Sequence, residues 1–376
     1  MMPAIPSIKG AKERCLRCGR ESREISEALQ LCLHCIRNHF DDVVPQLEEA
    51  HGIARSSFGL PLNPPRDPNG VSCGICSNEC RIPDGGQGYC GVRSNRGGVL
   101  EGVTSEKGNL GWYYDSLPTN CVADWVCPGG SASGYPRFSY AKGGEYGYKN
   151  LAVFYQACSF DCLFCQNWSF RQRIHQGERI SAHKLAQCVD DQTSCICFFG
   201  GDPTPQLPHS LMTSQIALER CRGRVLRICW ETNGSMNRSL LKRMAEIAFK
   251  SGGCIKFDLK AWSEPVHFAL CGVSNKRTLE NFKYLGRWVA RRPDPPFLIA
   301  STLLVPGYID EDEIRGISRL IASMNPEIPY TLLAFYPQFY LGDLPTTARS
   351  GALRFKEIAE EAGLKRVRIG NAHLLI

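Results

Sequence analysis

The sequence predicts an α/β fold: a partial (β/α)6, TIM-like barrel fronted by a cysteine-rich, metal-binding region. Two observations carry this. From about residue 149 onward, short apolar runs alternate six times with longer amphipathic stretches, the pattern of a parallel sheet buried by crossover helices. Ahead of that pattern the chain is crowded with cysteines, 20 among 376 residues, most of them in short-spaced groups. A disulfide scaffold would be a short exported chain, so clustered cysteines in a chain this long point to metal binding.

Composition sets the outer bounds. Hydrophobic residues make up 43% and charged residues 22%, a globular balance that excludes a disordered chain. Apolar runs such as that around Phe297–Pro306 are too short to span a bilayer, so no membrane role is expected. Met1–Pro6 lacks the apolar stretch of a secretory leader, which makes a reduced, cytoplasmic setting the expectation. The formal charge of +7 would suit an anionic partner without requiring one.

Three segments follow in order. Residues 1–60 carry Cys15-Leu-Arg-Cys18 and Cys32-Leu-His-Cys35, the paired spacing of a zinc ribbon or treble-clef knuckle in which four thiolates close a tetrahedral site. A helix is expected to begin near Cys32. Such a small segment, with little core of its own, would fold around its metal. The Pro/Asn/Gly-rich stretch 61–70 reads as a linker.

The second segment, 61–148, carries Cys73, Cys76, Cys80 and Cys90, whose spacing suits either an iron–sulfur cluster or another zinc. Residues 101–148 lack periodicity and read as loops. Their Cys121 and Cys127 are expected to be structural, with a shared site or a reactive thiol as the sharper reading.

The third segment is the barrel, 149–376. Expected strands are Leu151–Tyr155, Cys195–Phe199, Val225–Trp230, Cys254–Leu259, Leu298–Val305 and Thr331–Phe335. Expected helices cover 181–190, 207–221, 236–250, 276–290, 311–323 and 349–362, with Ser181 capping the first and Gly363 ending the last. Cys188, Cys195, Cys197, Cys221, Cys229, Cys254 and Cys271 read as small core hydrophobes. Chemistry belongs at the carboxyl ends of the strands.

The first strand runs into Cys158-Ser-Phe-Asp-Cys162-Leu-Phe-Cys165. Three cysteines on such a loop can bind three irons of a [4Fe–4S] cluster and leave the fourth iron open to a small amine and carboxylate chelate. This CX3CX2C loop resembles the signature of the radical S-adenosylmethionine (SAM) superfamily. Gly200-Gly201-Asp202-Pro203 resembles the superfamily's GGE motif, and Glu231-Thr232-Asn233-Gly234, Asp258-Leu259-Lys260 and Val305-Pro306-Gly307 resemble segments of glycyl-radical-enzyme activating enzymes.

Within the superfamily, residues 73–376 are most similar to uncharacterised relatives of pyruvate formate-lyase (glycyl-radical enzyme) activating enzyme. Cys76–Cys80, Gly88–Arg93, Cys165-Gln166-Asn167-Trp168 and Gly201–Pro205 carry that similarity. Asp202 stands where the family has Glu, keeping the charge with a shorter reach, and Glu231 stands where the family has Asp. Extra cysteines precede the signature loop rather than follow it.

The resemblance implies an enzyme with a [4Fe–4S] cluster on Cys158, Cys162 and Cys165. Its SAM pocket would be shaped by Gly200, Gly201, Asp202, Thr232, Asp258 and Lys260. It implies reductive cleavage of SAM to a 5′-deoxyadenosyl radical that abstracts hydrogen, with flavodoxin or ferredoxin as electron donor and a protein or peptide as substrate. Two other classes stay open on the residues alone: a zinc-ribbon nucleic-acid-binding protein with an idle barrel, and a multi-cluster electron-transfer protein. Trp168, Phe170, Tyr308 and Tyr336 sit near strand ends as possible adenine stackers, with core packing the plainer reading of each.

Overall fold

The computed structural model describes residues 12–119, 121–177 and 179–376; the leader reading of Met1–Pro6 lies outside them. A nine-stranded sheet organises the chain. Seven neighbouring strands are parallel and follow chain order: Lys149–Tyr155, Thr193–Gly200, Arg227–Thr232, Ile255–Asp258, Leu298–Leu304, Tyr330–Ala334 and Val367–Gly370. Helices Leu207–Arg220, Arg238–Ser251, Lys276–Gly286, Glu311–Met324 and Arg349–Glu361 form the crossovers. Among the described residues no pairing joins the two sheet edges, so the fold is a partial (β/α) barrel.

The strands are buried because both faces are covered: Leu298–Leu304 and Thr193–Gly200 expose almost nothing. Helix ends obey local chemistry. The Ser181 hydroxyl accepts the Lys184 N–H at 3.1 Å and caps Ala182–Gln187. Asn237 and Asp310 cap the helices that follow them, and Gly363 turns left-handed (φ 103°) just after Glu361.

Among the elements not expected, three bear on the sheet and its crossovers. Val367–Gly370 adds a seventh parallel strand; its sequence, Val-Arg-Ile-Gly, is too short and polar to show an apolar run. Helix Glu264–Cys271 is short and opens on a proline. Lys107–Ser116, read as loop, is a ten-residue strand pairing antiparallel with Lys149–Tyr155. It interrupts itself with Gly108 and Gly111 and leaves Trp112, Tyr113 and Tyr114 exposed, which erases the alternation expected of a half-buried strand. The second segment thus contributes a strand to the sheet of the third.

The N-terminal residues form a two-residue hairpin, Glu13–Arg14 with Glu21–Ser22, then helices Leu33–Asn38 and Phe40–Ser56. The longer helix buries Val43, Leu47, Ala50 and Ala54 along one stripe. Its Phe40 ring meets Phe268 edge-on at 5.7 Å. This helix reaches the loop that holds the three cysteines.

Candidate functional site

Tyr155 ends the first parallel strand, and the chain passes directly into the Cys158–Cys165 loop. Two backbone bonds, Asp161 N–H to Cys271 O at 2.9 Å and Leu163 N–H to Leu270 O at 3.0 Å, fix the loop against helix Glu264–Cys271. Asp161, between the first two cysteines, is completely buried. Its carboxylate accepts from Arg171 Nη1 at 2.5 Å and His51 Nδ1 at 2.8 Å, with Arg55 Nη1 at 3.6 Å. Burial raises that carboxyl, but His51 and the two arginines outweigh it and hold Asp161 down at about 2.

Cys158, Cys162 and Cys165 face one cavity, together with Gly200, Gly201, Asp202, Glu231, Thr232, Asn233, Asp258 and Lys260. All six residues expected to shape the SAM pocket therefore converge on the three expected cluster cysteines. The cavity encloses roughly 940 Å3 of space, its open mouth included.

The two glycines that line the cavity also answer a packing need. A Cβ on Gly200 (φ 121°) would sit 2.4 Å from Tyr155 N, and one on Gly201 2.4 Å from Ala157 O. Their bareness lets this strand end close on its neighbour, where Gly201 N–H donates to Tyr155 O and Asp202 N–H to Ala157 O.

Asp202 is held from several sides. Its Oδ1 accepts from Thr232 Oγ1 at 2.8 Å and Asn233 N at 3.2 Å, and its Oδ2 from Thr204 N at 3.3 Å. Burial pushes the carboxyl up to about 6 even so. A carboxyl raised on folding stabilises the folded chain below its unfolded value of about 4, and that contribution disappears as pH rises through about 6. D202N lacks this term. Relative to the variant, the ligand-free parent chain is expected to lose on the order of 2 kcal/mol between about pH 4.5 and 7, read from urea melts across that range.

Lys260 Nζ donates to Asp258 Oδ2 at 2.8 Å, and Ser301 Oγ donates to Asp258 Oδ1 at 2.6 Å. Burial would lower Lys260, but Asp258 and Cys162 raise it, so a fixed ammonium stands beside the cysteine loop. Burial pushes the metal-free Cys165 thiol up to about 11, opposed by Arg171 and Lys260. Those two cations favour the thiolate form that metal binding needs. Cys162 Sγ lies 3.5 Å from Cys271 Sγ.

Three cysteines on one loop, nearby cations and a polar cavity fit a three-thiolate iron–sulfur cluster with a small polar ligand alongside.

Several contributors escaped the sequence reading. Asn233 Nδ2 donates to Ser159 Oγ at 2.8 Å and lies 3.8 Å from Cys158 Sγ; the Glu-Thr-Asn-Gly motif was its signal. Asp161, His51 and Arg55 had none. Of the aromatics, Tyr308 is fully buried, accepting from Ser26 N at 3.0 Å and donating to Leu31 O at 3.2 Å. Trp168 stacks on Phe339 at 5.8 Å. Phe170 packs in a small core cluster beside Ala157, and Tyr336 is half-buried.

Two further cysteine groups lie outside this cavity. The sulfurs of Cys15, Cys18, Cys32 and Cys35 all lie within 4.8 Å of one another, with Cys18 and Cys32 at 3.7 Å. Four thiolates about 2.3 Å from one ion stand roughly 3.8 Å apart, so this group is shaped for a single tetrahedral metal.

Cys73, Cys76, Cys80 and Cys90 do not close so tightly. They surround a small cavity of about 340 Å3 with Tyr89, Arg93 and Pro205. Their loop abuts the site: Asn78 Nδ2 donates to Ser159 O at 2.7 Å, and Ser77 N to Ser235 O at 2.9 Å.

No helix of the described residues is long and apolar enough to cross a membrane.

Comparison with known proteins agrees with this geometry. Residues 152–315 match the radical SAM superfamily model. An uncharacterised protein of Methanocaldococcus jannaschii is 27% identical over 81% of this chain and 82% of its own length. The pyruvate formate-lyase 1-activating enzyme of Escherichia coli K12 is 25% identical over 43% of this chain, an alignment spanning 63% of that enzyme. A solved domain of pyruvate-formate lyase-activating enzyme from Bacteroides vulgatus covers 46% of this chain at 22% identity and a TM-score of 0.37. With that family model over its first five parallel strands and three cysteines at the end of the first of them, the chain carries a radical SAM domain and is a radical SAM enzyme.

Proposed function

We propose that this enzyme cleaves SAM reductively and abstracts hydrogen from a protein or peptide, with Cys158, Cys162 and Cys165 as cluster ligands. The observation that carries the site assignment is their convergence on one cavity with Asp202 and Lys260. A [4Fe–4S] cluster bound there would supply the electron that breaks a carbon–sulfur bond of SAM.

The chain's own residues do the rest. Asp202, positioned by Thr232 and Asn233, offers a carboxylate to the SAM ammonium. Lys260 and Asp258, linked at 2.8 Å, offer a cation to its carboxylate and an acceptor to its ribose. Asn233 and Arg171 hold the cysteine loop in place and help keep water from it.

The N-terminal quartet suits zinc, because its sulfurs already have the spacing of one tetrahedral ion. The wider ring of Cys73, Cys76, Cys80 and Cys90 suits an iron–sulfur cluster instead, within reach of the first through Asn78 and Ser159. The protein-substrate reading draws its support from the activating-enzyme relative.

The test is anaerobic incubation of full-length protein with SAM, reduced flavodoxin or ferredoxin, and deuterium-labelled protein fractions. The expected result is 5′-deoxyadenosine carrying deuterium from one fraction. Cleavage that no fraction alters or labels would remove the protein-substrate reading and leave the SAM chemistry standing.

A further inference from the structure

A second cavity lies inside the barrel, against the candidate SAM pocket, and shares Phe199 and Glu231 with it. Residues two apart on a strand turn to one face. Cys195 and Cys197 therefore face inward on one strand, Arg227, Cys229 and Glu231 on the next, and Lys256 on the third, with Cys254 just before it. The loop following Leu117 also lines this chamber and brings Cys121 and Cys127 into it. Six thiols line the one space.

Barrel interiors are ordinarily filled with layers of Val, Ile and Leu. Here there is room, roughly 770 Å3 including its opening, and a buried ammonium. Lys256 is 3% exposed. Its Nζ donates to Cys121 Sγ at 2.9 Å and Cys197 Sγ at 3.5 Å, and it pairs with Glu231. Cys229 and Cys254 stand 3.8 Å apart, sulfur to sulfur.

The plain reading of these cysteines as small core hydrophobes holds elsewhere. Cys221 and Cys271 pack in the main core, while Cys188 is half-buried at a helix end and bonds Lys184 O. It does not account for sulfurs facing open space beside a charged lysine.

We propose that this chamber is a further cofactor site, separate from the three cysteine sites above, holding an iron–sulfur cluster on thiolates drawn from Cys121, Cys127, Cys197, Cys229 and Cys254. Cys195 is engaged elsewhere, donating to Asn150 Oδ1 at 3.3 Å. A cluster fits better than a bare ion because, among the described residues, only the N-terminal quartet brings its ligand atoms within 4.8 Å of one another. A thiolate-ligated cluster carries net negative charge, so it would balance the buried Lys256 ammonium more fully than the partly exposed Glu231 carboxylate does alone. Supplied with ferric and ferrous iron together with sulfide, the site assembles a resting cluster with no external oxidant, and each ligating thiol gives its proton to solvent.

The experiment uses the full-length chain, reconstituted without oxygen from ferric and ferrous iron and sulfide, then counted for iron, sulfide and zinc and examined by Mössbauer spectroscopy. C229S/C254S is expected to lose about two to four irons with equal sulfide, while C158A/C162A/C165A keeps that portion. C121S/C127S, altered on the loop rather than the strands, gives the same readout should the strand variant fail to fold.

Iron and sulfide unchanged in the folded variants, or zinc without sulfide in the chamber, would overturn the inference. Loss of all iron from the triple variant alone would do the same and leave the Cys158–Cys165 assignment intact. Retention of all iron by the triple variant, with loss from C229S/C254S, would sink that assignment and support the inference.

Discussion

C162A is expected to abolish reductive SAM cleavage. Cys162 is the middle ligand candidate, 8% exposed, and the Asp161 and Leu163 amides on either side of it are bonded to Cys271 and Leu270. No described neighbour can replace it without moving that framework; Cys271, 3.5 Å away in sulfur-to-sulfur distance, sits on a helix rather than on the loop. Because the bond-breaking chemistry belongs to the cofactor, the rate of 5′-deoxyadenosine formation should fall at least about 1,000-fold. Anaerobic chromatography of the product measures this. C188S, altered at a helix end away from the cavity, should retain cleavage. Cleavage by C162A within a few-fold of the parent chain would end the assignment of these three cysteines.

D161N should be the most damaging single change to stability near the site. The carboxylate it removes is fully buried and faces Arg171, Arg55 and His51, of which both arginines are themselves buried. Breaking a buried pair from one side costs about 3–5 kcal/mol, because the remaining charge stays in the interior without its partner.

The pH dependence has a definite sign. Asp161 is depressed to about 2 in the folded chain, so its contribution is present above the unfolded value of about 4 and is lost as pH falls through about 2. Urea denaturation at neutral pH, then in steps from about pH 4 down to about pH 2, should show the gap between parent and D161N shrinking with acid. A gap under about 1 kcal/mol at neutral pH would show that the arginines find other partners.

The barrel and the rim of the site could be read from the sequence because both are written in contiguous signals. The apolar runs around Leu151, Ile196, Ile228 and Leu298 mark strands buried on both faces. Gly200–Asp202, Glu231–Gly234 and Asp258–Lys260 each fall where such a run stops.

What could not be read depends on distant pairing. Nothing near Asp161 announces that His51, 110 positions away, will bond it. The strand Lys107–Ser116 hid because three consecutive exposed aromatics, Trp112, Tyr113 and Tyr114, break the alternation of apolar and polar residues. The thiol chamber hid because cysteine and valine look alike in a burial pattern, and only the register of three strands shows that Cys197, Cys229 and Lys256 look into the same space.

The helix Phe40–Ser56 reaches from the N-terminal metal-binding segment to the cysteine loop, placing His51 and Arg55 on Asp161. The front of this protein is therefore no detachable cassette. A barrel expressed from residue 149 onward would leave that carboxylate with one of its three partners, and a graft of a foreign N-terminus would need to reproduce a histidine and an arginine four positions apart on the same helical face.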